Sequence, residues 1–122
     1  MGQILLVEDE TFIAEMIQDA LEDRGLEVTS AHTDSGAYAI LEGEAHSFTV
    51  LIADINLGPG TTGFDVARFA RQTDPDLSIL YVSGQASRES FKTFGVPGAG
   101  FLAKPFTTEE LHRAVREALD EV

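Results

Sequence analysis

The stretch FTVLIADINLGPG, residues 48–60, decides the fold. Its run Val50–Ala53 is apolar at every position, which predicts a short strand that is buried on both faces of a parallel sheet. The run stops at Asp54, and a glycine-rich segment follows. A carboxylate at the end of a buried strand is costly unless it is paired. Asp54 therefore needs a partner or a function that explains its position.

Apolar runs and segments of helical spacing alternate along the whole chain. The runs with strand character are Ile4–Val7, Val28–Ala31, Val50–Ala53, Leu77–Val82 and Phe101–Ala103. The segments with helical character are Phe12–Leu21, Ala37–Leu41, Phe64–Arg71, Arg88–Phe94 and a last segment near the end of the chain. Gly25 is the expected stop signal of the first segment, and Thr107 and Glu110 form a capping box at the start of the last one. This alternation predicts an α/β fold, a doubly wound (βα)5 parallel sheet of five strands with helices on both faces.

Length, charge and composition narrow the class of protein. The chain has 122 residues, no cysteine and a formal net charge of −13. We expect one domain and no disulfides. We expect neither nucleic acid nor a membrane as a partner, because the negative electrostatic field of the protein repels phosphate groups. The sequence shows neither a secretory signal nor a transmembrane run, so a cytoplasmic location is expected.

Polar side chains follow four of the five predicted strands. They are Glu8, Asp9 and Glu10 after the first strand, Asp54 after the third, Ser83 after the fourth and Lys104 after the fifth. Each alone is explained as a turn former or a helix cap. In an open parallel sheet, however, the carboxyl ends of the strands meet at one edge, where ligands bind. The sequence therefore predicts a cluster of carboxylates beside a lysine.

Such a cluster is unfavourable without a cation. Two charges about 5 Å apart repel by roughly 3 kcal/mol at an effective dielectric constant near 20. Mg²⁺, a hard ion that takes oxygen ligands from carboxylates, water and phosphate, removes this penalty. Lys104 and Ser83 then suit the oxygens of a phosphoryl group. We therefore expect Asp54 to be a nucleophile that forms an acyl phosphate next to Mg²⁺.

Four motifs carry a family resemblance: ILLVEDE (4–10), LIADINL (51–57), YVSGQ (81–85) and FLAKPF (101–106). Together they resemble the CheY-like receiver domain of bacterial two-component response regulators. The resemblance implies the strand order 2-1-3-4-5, and it spans the chain. Residues 1–122 are thus expected to form a stand-alone receiver domain without an output domain.

The resemblance also implies a role for each matching residue. Asp54 is the expected phosphoacceptor, and Asp9, Asp54 and the main-chain carbonyl of Asn56 are the expected ligands of Mg²⁺, for which Mn²⁺ can substitute. Glu8 is expected to act on the metal through water. Ser83 and Lys104 are expected to contact the phosphoryl group.

Three further roles concern switching, hydrolysis and the backbone. Ser83 and Phe101 are the expected switch pair, and Pro105 is expected to follow a cis peptide bond. Asn56 and Gln85 lie two residues after Asp54 and Ser83, so we expect them to flank the path of a hydrolytic water and tune the loss of the phosphoryl group.

Some features of the chain depart from the family pattern or stand outside it. Gly58 takes the place of a usual proline, and Gly63 follows Asp54 by nine residues, so the 58–63 loop is expected to be one residue longer than usual. The histidines, His32, His46 and His112, are expected to lie away from the site.

The expected function is phosphorelay signalling rather than an independent enzymatic activity: a switch that catalyses its own phosphorylation and dephosphorylation. The expected partners are a sensor histidine kinase or a histidine phosphotransfer protein and an unidentified downstream protein, and the chain itself is expected to be a monomer or a weak dimer. A phosphate sink and a phosphorylation-independent interaction module are the alternatives.

Two other classes of protein fit less well. A haloacid-dehalogenase-type phosphatase needs a second aspartate where Asn56 stands. A flavodoxin-type FMN protein would place its phosphate against the carboxylates of VEDETF (7–12).

Overall fold

The computed structural model describes residues 3–44, 48–57 and 62–120. Its strands are β1 (Gln3–Val7), β2 (Glu27–Ala31), β3 (Val50–Ala53), β4 (Ser78–Gly84) and β5 (Gly100–Lys104). They pair in parallel in one sheet of order β2-β1-β3-β4-β5. The expected fold class and strand order are confirmed.

The helices alternate with the strands as expected. They are α1 (Thr11–Glu22), α2 (Asp34–Glu44), α3 (Gly63–Thr73), α4 (Arg88–Phe94) and α5 (Thr108–Asp120), with a 3-10 turn at Gln85–Ser87 before α4. The capping box of α5 is confirmed, since Thr107 N–H donates to Glu110 Oε1 at 2.8 Å and Glu110 N–H donates to Thr107 Oγ1 at 3.0 Å. Within the described residues, none of the helices is both long and apolar enough to cross a bilayer.

Two apolar cores cover the two faces of the sheet. Successive residues of β1 alternate between them, with Leu5 and Val7 in one core and Ile4 and Leu6 in the other. The first core packs the sheet against α2, α3 and α4, and the second packs it against α1 and α5. Because β3 is buried on both faces along its whole length, its polar neighbour Asp54 is found where the strand ends.

Helix α1 does not bury all the apolar residues that its spacing assigned to one stripe. Ala14, Ile17 and Leu21 pack on the sheet, whereas Phe12 is 79% exposed and Met16 is 42% exposed. The sequence shows apolar positions three and four residues apart, but it does not show that Phe12 and Met16 form a second stripe that faces outward.

The register of the sheet brings the functional strands to a common edge. Val7 pairs with Ala53, so β1 and β3 end level with each other. The Asp54 N–H extends this pairing by donating to Val7 O at 3.0 Å. Strands β4 and β5 run further than expected and include Ser83 and Lys104, which therefore lie on the last rungs of the sheet.

Helix α3 begins directly beside the end of β3. Thr62 caps it in a reciprocal box with Asp65, which the sequence analysis did not identify. The Gly63 N–H donates to Ile55 O at 2.8 Å. A Cβ atom on Gly63 would lie 2.1 Å from the Asp54 carbonyl oxygen, so only glycine fits there. Gly58, Pro59, Gly60 and Thr61 of the unusual loop lie outside the described residues.

We predict that Gly63→Ala lowers the free energy of unfolding by about 1 to 3 kcal/mol, because the new methyl group must push apart two packed backbone segments. Gly43→Ala is the control, since Gly43 lies in α2 with nothing within 4 Å of a Cβ atom. It should raise the stability by about 0.5 to 1 kcal/mol through helix propensity. Urea denaturation measures both, and equal stability of the two variants would contradict the packing of Gly63.

Candidate functional site

A polar cavity of about 440 Å³ opens at the carboxyl edge of the sheet. It is lined by Asp9, Glu10, Asp54, Asn56, Ser83, Gly84 and Lys104. The structure thus brings together side chains from the ends of β1, β3, β4 and β5, which the sequence analysis selected separately. Glu8 belongs to the same cluster but is buried, with 1% of its surface exposed.

Lys104 holds this cluster together. Its Nζ donates to Glu8 Oε1 at 3.0 Å and to Asp54 Oδ2 at 3.0 Å, and it lies 3.6 Å from Glu10 Oε2. Burial alone would lower the pKa of Lys104, but its hydrogen bonds to Asp54 and Glu8 outweigh that effect and raise the pKa. The ammonium group, which we expected only to face a phosphoryl group, is thus already paired with two carboxylates.

Glu8 is the carboxylate with the most perturbed titration. Burial, together with the nearby Asp54 charge, outweighs the opposing effect of Lys104 and raises the pKa of Glu8 to about 7. The Glu8 Oε2 atom accepts the Glu10 N–H at 3.2 Å. Near neutral pH this side chain therefore lies close to its own titration midpoint, and its charge depends on the cations beside it.

Asp54 is buried, with 6% of the residue exposed, and both oxygens of its carboxylate accept hydrogen bonds. Its Oδ1 accepts the Asn56 N–H at 3.1 Å, and its Oδ2 accepts the Lys104 ammonium. These contacts fix the orientation of the carboxylate at the floor of the cavity.

The carboxylates fit a divalent metal. Ligand atoms of Glu8, Asp9 and Asp54 all lie within 4.8 Å of one another. The donors are hard oxygens, Asp9 is exposed to the cavity, and one lysine cannot neutralise the whole group. This set of ligands suits Mg²⁺, a hard cation that prefers oxygen ligands. When bound, the ion supplies positive charge for phosphate oxygens.

Ser83 and Asn56 meet at a residue that the sequence analysis missed. The Ser83 hydroxyl donates to Ser87 Oγ at 3.2 Å. The Asn56 side-chain amide donates to Ser87 Oγ at 3.2 Å and to Ser83 Oγ at 3.4 Å. Ser87 is 9% exposed. A serine four residues after Ser83 gives no sequence signal, because its position depends on the 3-10 turn.

The other predicted site residues lie outside the cavity. Gln85 is exposed and does not line it. Phe101 is partly buried, with its ring 5.2 Å from that of Phe91 and under the guanidinium of Arg88 at 4.7 Å. The Lys104–Pro105 peptide bond is cis, as the resemblance implied.

The expectation that the histidines lie away from the site is wrong for His32. Its Nδ1 is 3.2 Å from the Glu8 carbonyl oxygen, because β2 ends beside β1 at the same edge of the sheet. His112 lies elsewhere, with Nε2 2.9 Å from Ala20 O. His46 lies outside the described residues.

Comparison with known proteins agrees with this fold. Residues 4–116 match the family described as "Response regulator receiver domain". The chain belongs to the response regulator receiver family, whose members act in two-component signalling.

A relative of similar length, a part of a longer relative and a closely similar solved structure support this assignment. The chain is 34% identical over 120 residues to the response regulator receiver protein CpdR of Brucella abortus, with 98% of each chain covered. It is 31% identical over 118 residues to the sensor kinase CckA of Brucella abortus, with 96% of this chain but 12% of that protein covered. A receiver protein structure from Sinorhizobium medicae superposes with a TM-score of 0.90 at 34% identity and covers 98% of this chain and 94% of that one.

The raised pKa of Glu8 predicts a pH-dependent stability in metal-free protein. The folded state keeps the Glu8 proton up to about pH 7, whereas the unfolded chain releases it near pH 4.5. The unfolded state therefore binds fewer protons between these values, and the free energy of unfolding should fall as the pH rises through this window. The Glu8 contribution is on the order of 1 to 3 kcal/mol.

Urea denaturation in chelator from about pH 4 to 8 measures this slope. Glu8→Gln should flatten it, because the amide does not titrate. Glu15→Gln, at an exposed position of α1, should keep the slope. A Glu8→Gln protein with the slope of the wild type would contradict the assignment.

Proposed function

We propose that this chain accepts a phosphoryl group on Asp54 from a phosphohistidine donor, in a Mg²⁺-dependent reaction, and thereby changes the binding of a partner protein. The observation that carries the proposal is the Asp54 carboxylate, which lies at the end of β3 between Lys104 and the Glu8–Asp9 pair. An acidic cluster with a half-buried lysine is costly for stability alone. It is useful where phosphate oxygens and a cation must meet a nucleophile.

In the proposed reaction, an Asp54 oxygen forms a bond to phosphorus as the bond from phosphorus to the donor imidazole nitrogen breaks. The imidazole leaves with the electron pair of that bond, and the product is an aspartyl phosphate. Lys104 and the Ser83 hydroxyl are proposed to donate hydrogen bonds to the phosphoryl oxygens, which carry more charge than the Asp54 carboxylate alone. Loss of the phosphoryl group to water restores the carboxylate.

Asp9 and Asp54 are proposed to bind the metal directly, together with the Asn56 main-chain carbonyl, and Glu8 through water. The carboxylate geometry supports this assignment. Asn56 and Gln85 are proposed to tune hydrolysis. Asn56 lines the cavity, whereas Gln85 would have to turn from its exposed position to reach the site.

The outward face of α1 is proposed to receive the phosphodonor protein. Phe12 and Met16 are exposed there. An apolar groove next to them is lined by Ile13, Met16, Lys104, Pro105 and Phe106. Lys104 lines both this groove and the polar cavity. A donor seated on the groove would therefore lie beside Asp54.

We predict that Mg²⁺ raises the melting temperature of the protein. At about ten times the dissociation constant, the gain is roughly 1.4 kcal/mol, since the ion binds only the folded state. Asp9→Asn should strongly reduce this gain. Asp19→Asn, an exposed position of α1 away from the cavity, should keep it. A melting temperature that is unchanged by Mg²⁺ in the wild type would contradict the metal site.

We predict that acetyl phosphate with Mg²⁺ adds the mass of one phosphoryl group to the protein and that hydroxylamine removes it. Asp54→Ala should abolish the addition, because the nucleophilic oxygen is gone. Intact-mass spectrometry measures the product, and chelator supplies the metal-free control. Full labelling of Asp54→Ala would move the acceptor to another residue.

A further inference from the structure

The region between Ser83 and α4 contains a hydroxyl group for which the proposed reaction has no use. Ser87 ends the 3-10 turn, and Arg88 begins α4 directly after it. Its side chain does not line the polar cavity. Yet Ser87 Oγ is within 3.2 Å of both the Ser83 hydroxyl and the Asn56 amide, two groups that do line the cavity.

We propose that Ser87 is a positioning residue that holds the Ser83 hydroxyl and the Asn56 amide in the unphosphorylated protein. This inference rests on the proposed phosphorylation of Asp54. A hydroxyl has one proton to donate. In the structure, the Ser83 proton is donated to Ser87 Oγ. To donate it to a phosphoryl oxygen, Ser83 must give up that bond, so the two hydrogen bonds exclude each other.

The burial of the pair makes this exchange significant. Ser83 is 1% exposed and Ser87 is 9% exposed, so little solvent reaches the pair to replace a lost acceptor. A buried donor without a partner is costly. Ser87 therefore lowers the free energy of the unphosphorylated arrangement, and removing its oxygen should favour the arrangement in which Ser83 bonds to the phosphoryl group.

The same backbone segment reaches Phe101, the expected switch residue. Arg88 follows Ser87 and places its guanidinium 4.7 Å from the centre of the Phe101 ring. When the hydrogen bond from Ser83 to Ser87 breaks, Ser87 keeps only one of the two hydrogen bonds that it accepts next to the start of α4. Ser87 thus joins the site to the segment that covers Phe101, and its removal should affect both.

The test is the affinity for beryllofluoride, a phosphoryl mimic, in the presence of Mg²⁺, measured by titration of the amide spectrum. Ser87→Ala should bind about three- to tenfold more tightly than the wild type, because the competing acceptor is absent. In metal-free protein without beryllofluoride, the same variant should shift the amide signals of residues 84–106 toward their bound positions. It should also shift the side-chain amide signals of Asn56.

Matched variants separate a positioning role from a structural one. Ser87→Thr keeps the hydroxyl and should bind like the wild type. Thr93→Val removes an exposed hydroxyl of α4 that donates to Glu89 O within its own helix, and it should leave the affinity unchanged. In a Ser83→Ala background, Ser87→Ala should no longer tighten binding, because the competing donor is gone.

The outcomes distinguish this inference from the proposed function. A wild type that binds beryllofluoride, with equal or weaker binding by Ser87→Ala, would overturn the role of Ser87 alone. An effect of Ser87→Ala that persists unchanged in the Ser83→Ala background would also overturn it. A wild type that neither binds beryllofluoride nor accepts a phosphoryl group would overturn the proposed function and the role of Ser87 with it.

Discussion

The site depends on one contact, the Lys104 ammonium group between two buried carboxylates. Lys104 lies on the edge strand β5, while Asp54 and Glu8 follow β3 and β1, so its side chain must extend across the end of β4. The last residues of β4 that it passes are Ser83 and Gly84, and Gly84 pairs with Lys104. The length of the Lys104 side chain is therefore as much a requirement of the site as its charge is.

The same contact sets the electrostatic balance of the cavity. One ammonium group faces Glu8, Asp54 and Glu10, and Asp9 adds a further carboxylate at the rim. The pKa of Glu8 near 7 reflects this shortage of positive charge as well as burial. A divalent cation would stabilise the ionised carboxylates and leave Lys104 free to turn toward newly arrived phosphate oxygens. Metal, proton and phosphoryl group are thus linked through one set of charges.

The sequence predicted those features that depend on local pattern and on the rules of parallel sheets. Strand β3, the α5 capping box and the meeting of Asp54 with Lys104 belong to this group. It did not predict features that depend on side-chain direction. The helical spacing grouped Phe12 and Met16 with the buried residues of α1 although they face outward, and His32 was placed away from the site that it adjoins. Neither helical spacing nor strand order shows which way a side chain points.

Ser87 belongs to the same group of missed residues, and its environment explains how the site contacts the rest of the protein. From Phe101 the rings of Phe91, Tyr81 and Phe64 follow one another with centroids 5.2, 5.8 and 5.2 Å apart. Phe64 follows Gly63, which packs on the Asp54 carbonyl. Contiguity of this kind does not by itself transmit a signal, because coupling requires an element with two arrangements. Helix α4 has no buried residue and begins at Arg88, directly after Ser87, so the short segment beside Ser83 is the element that can have two arrangements.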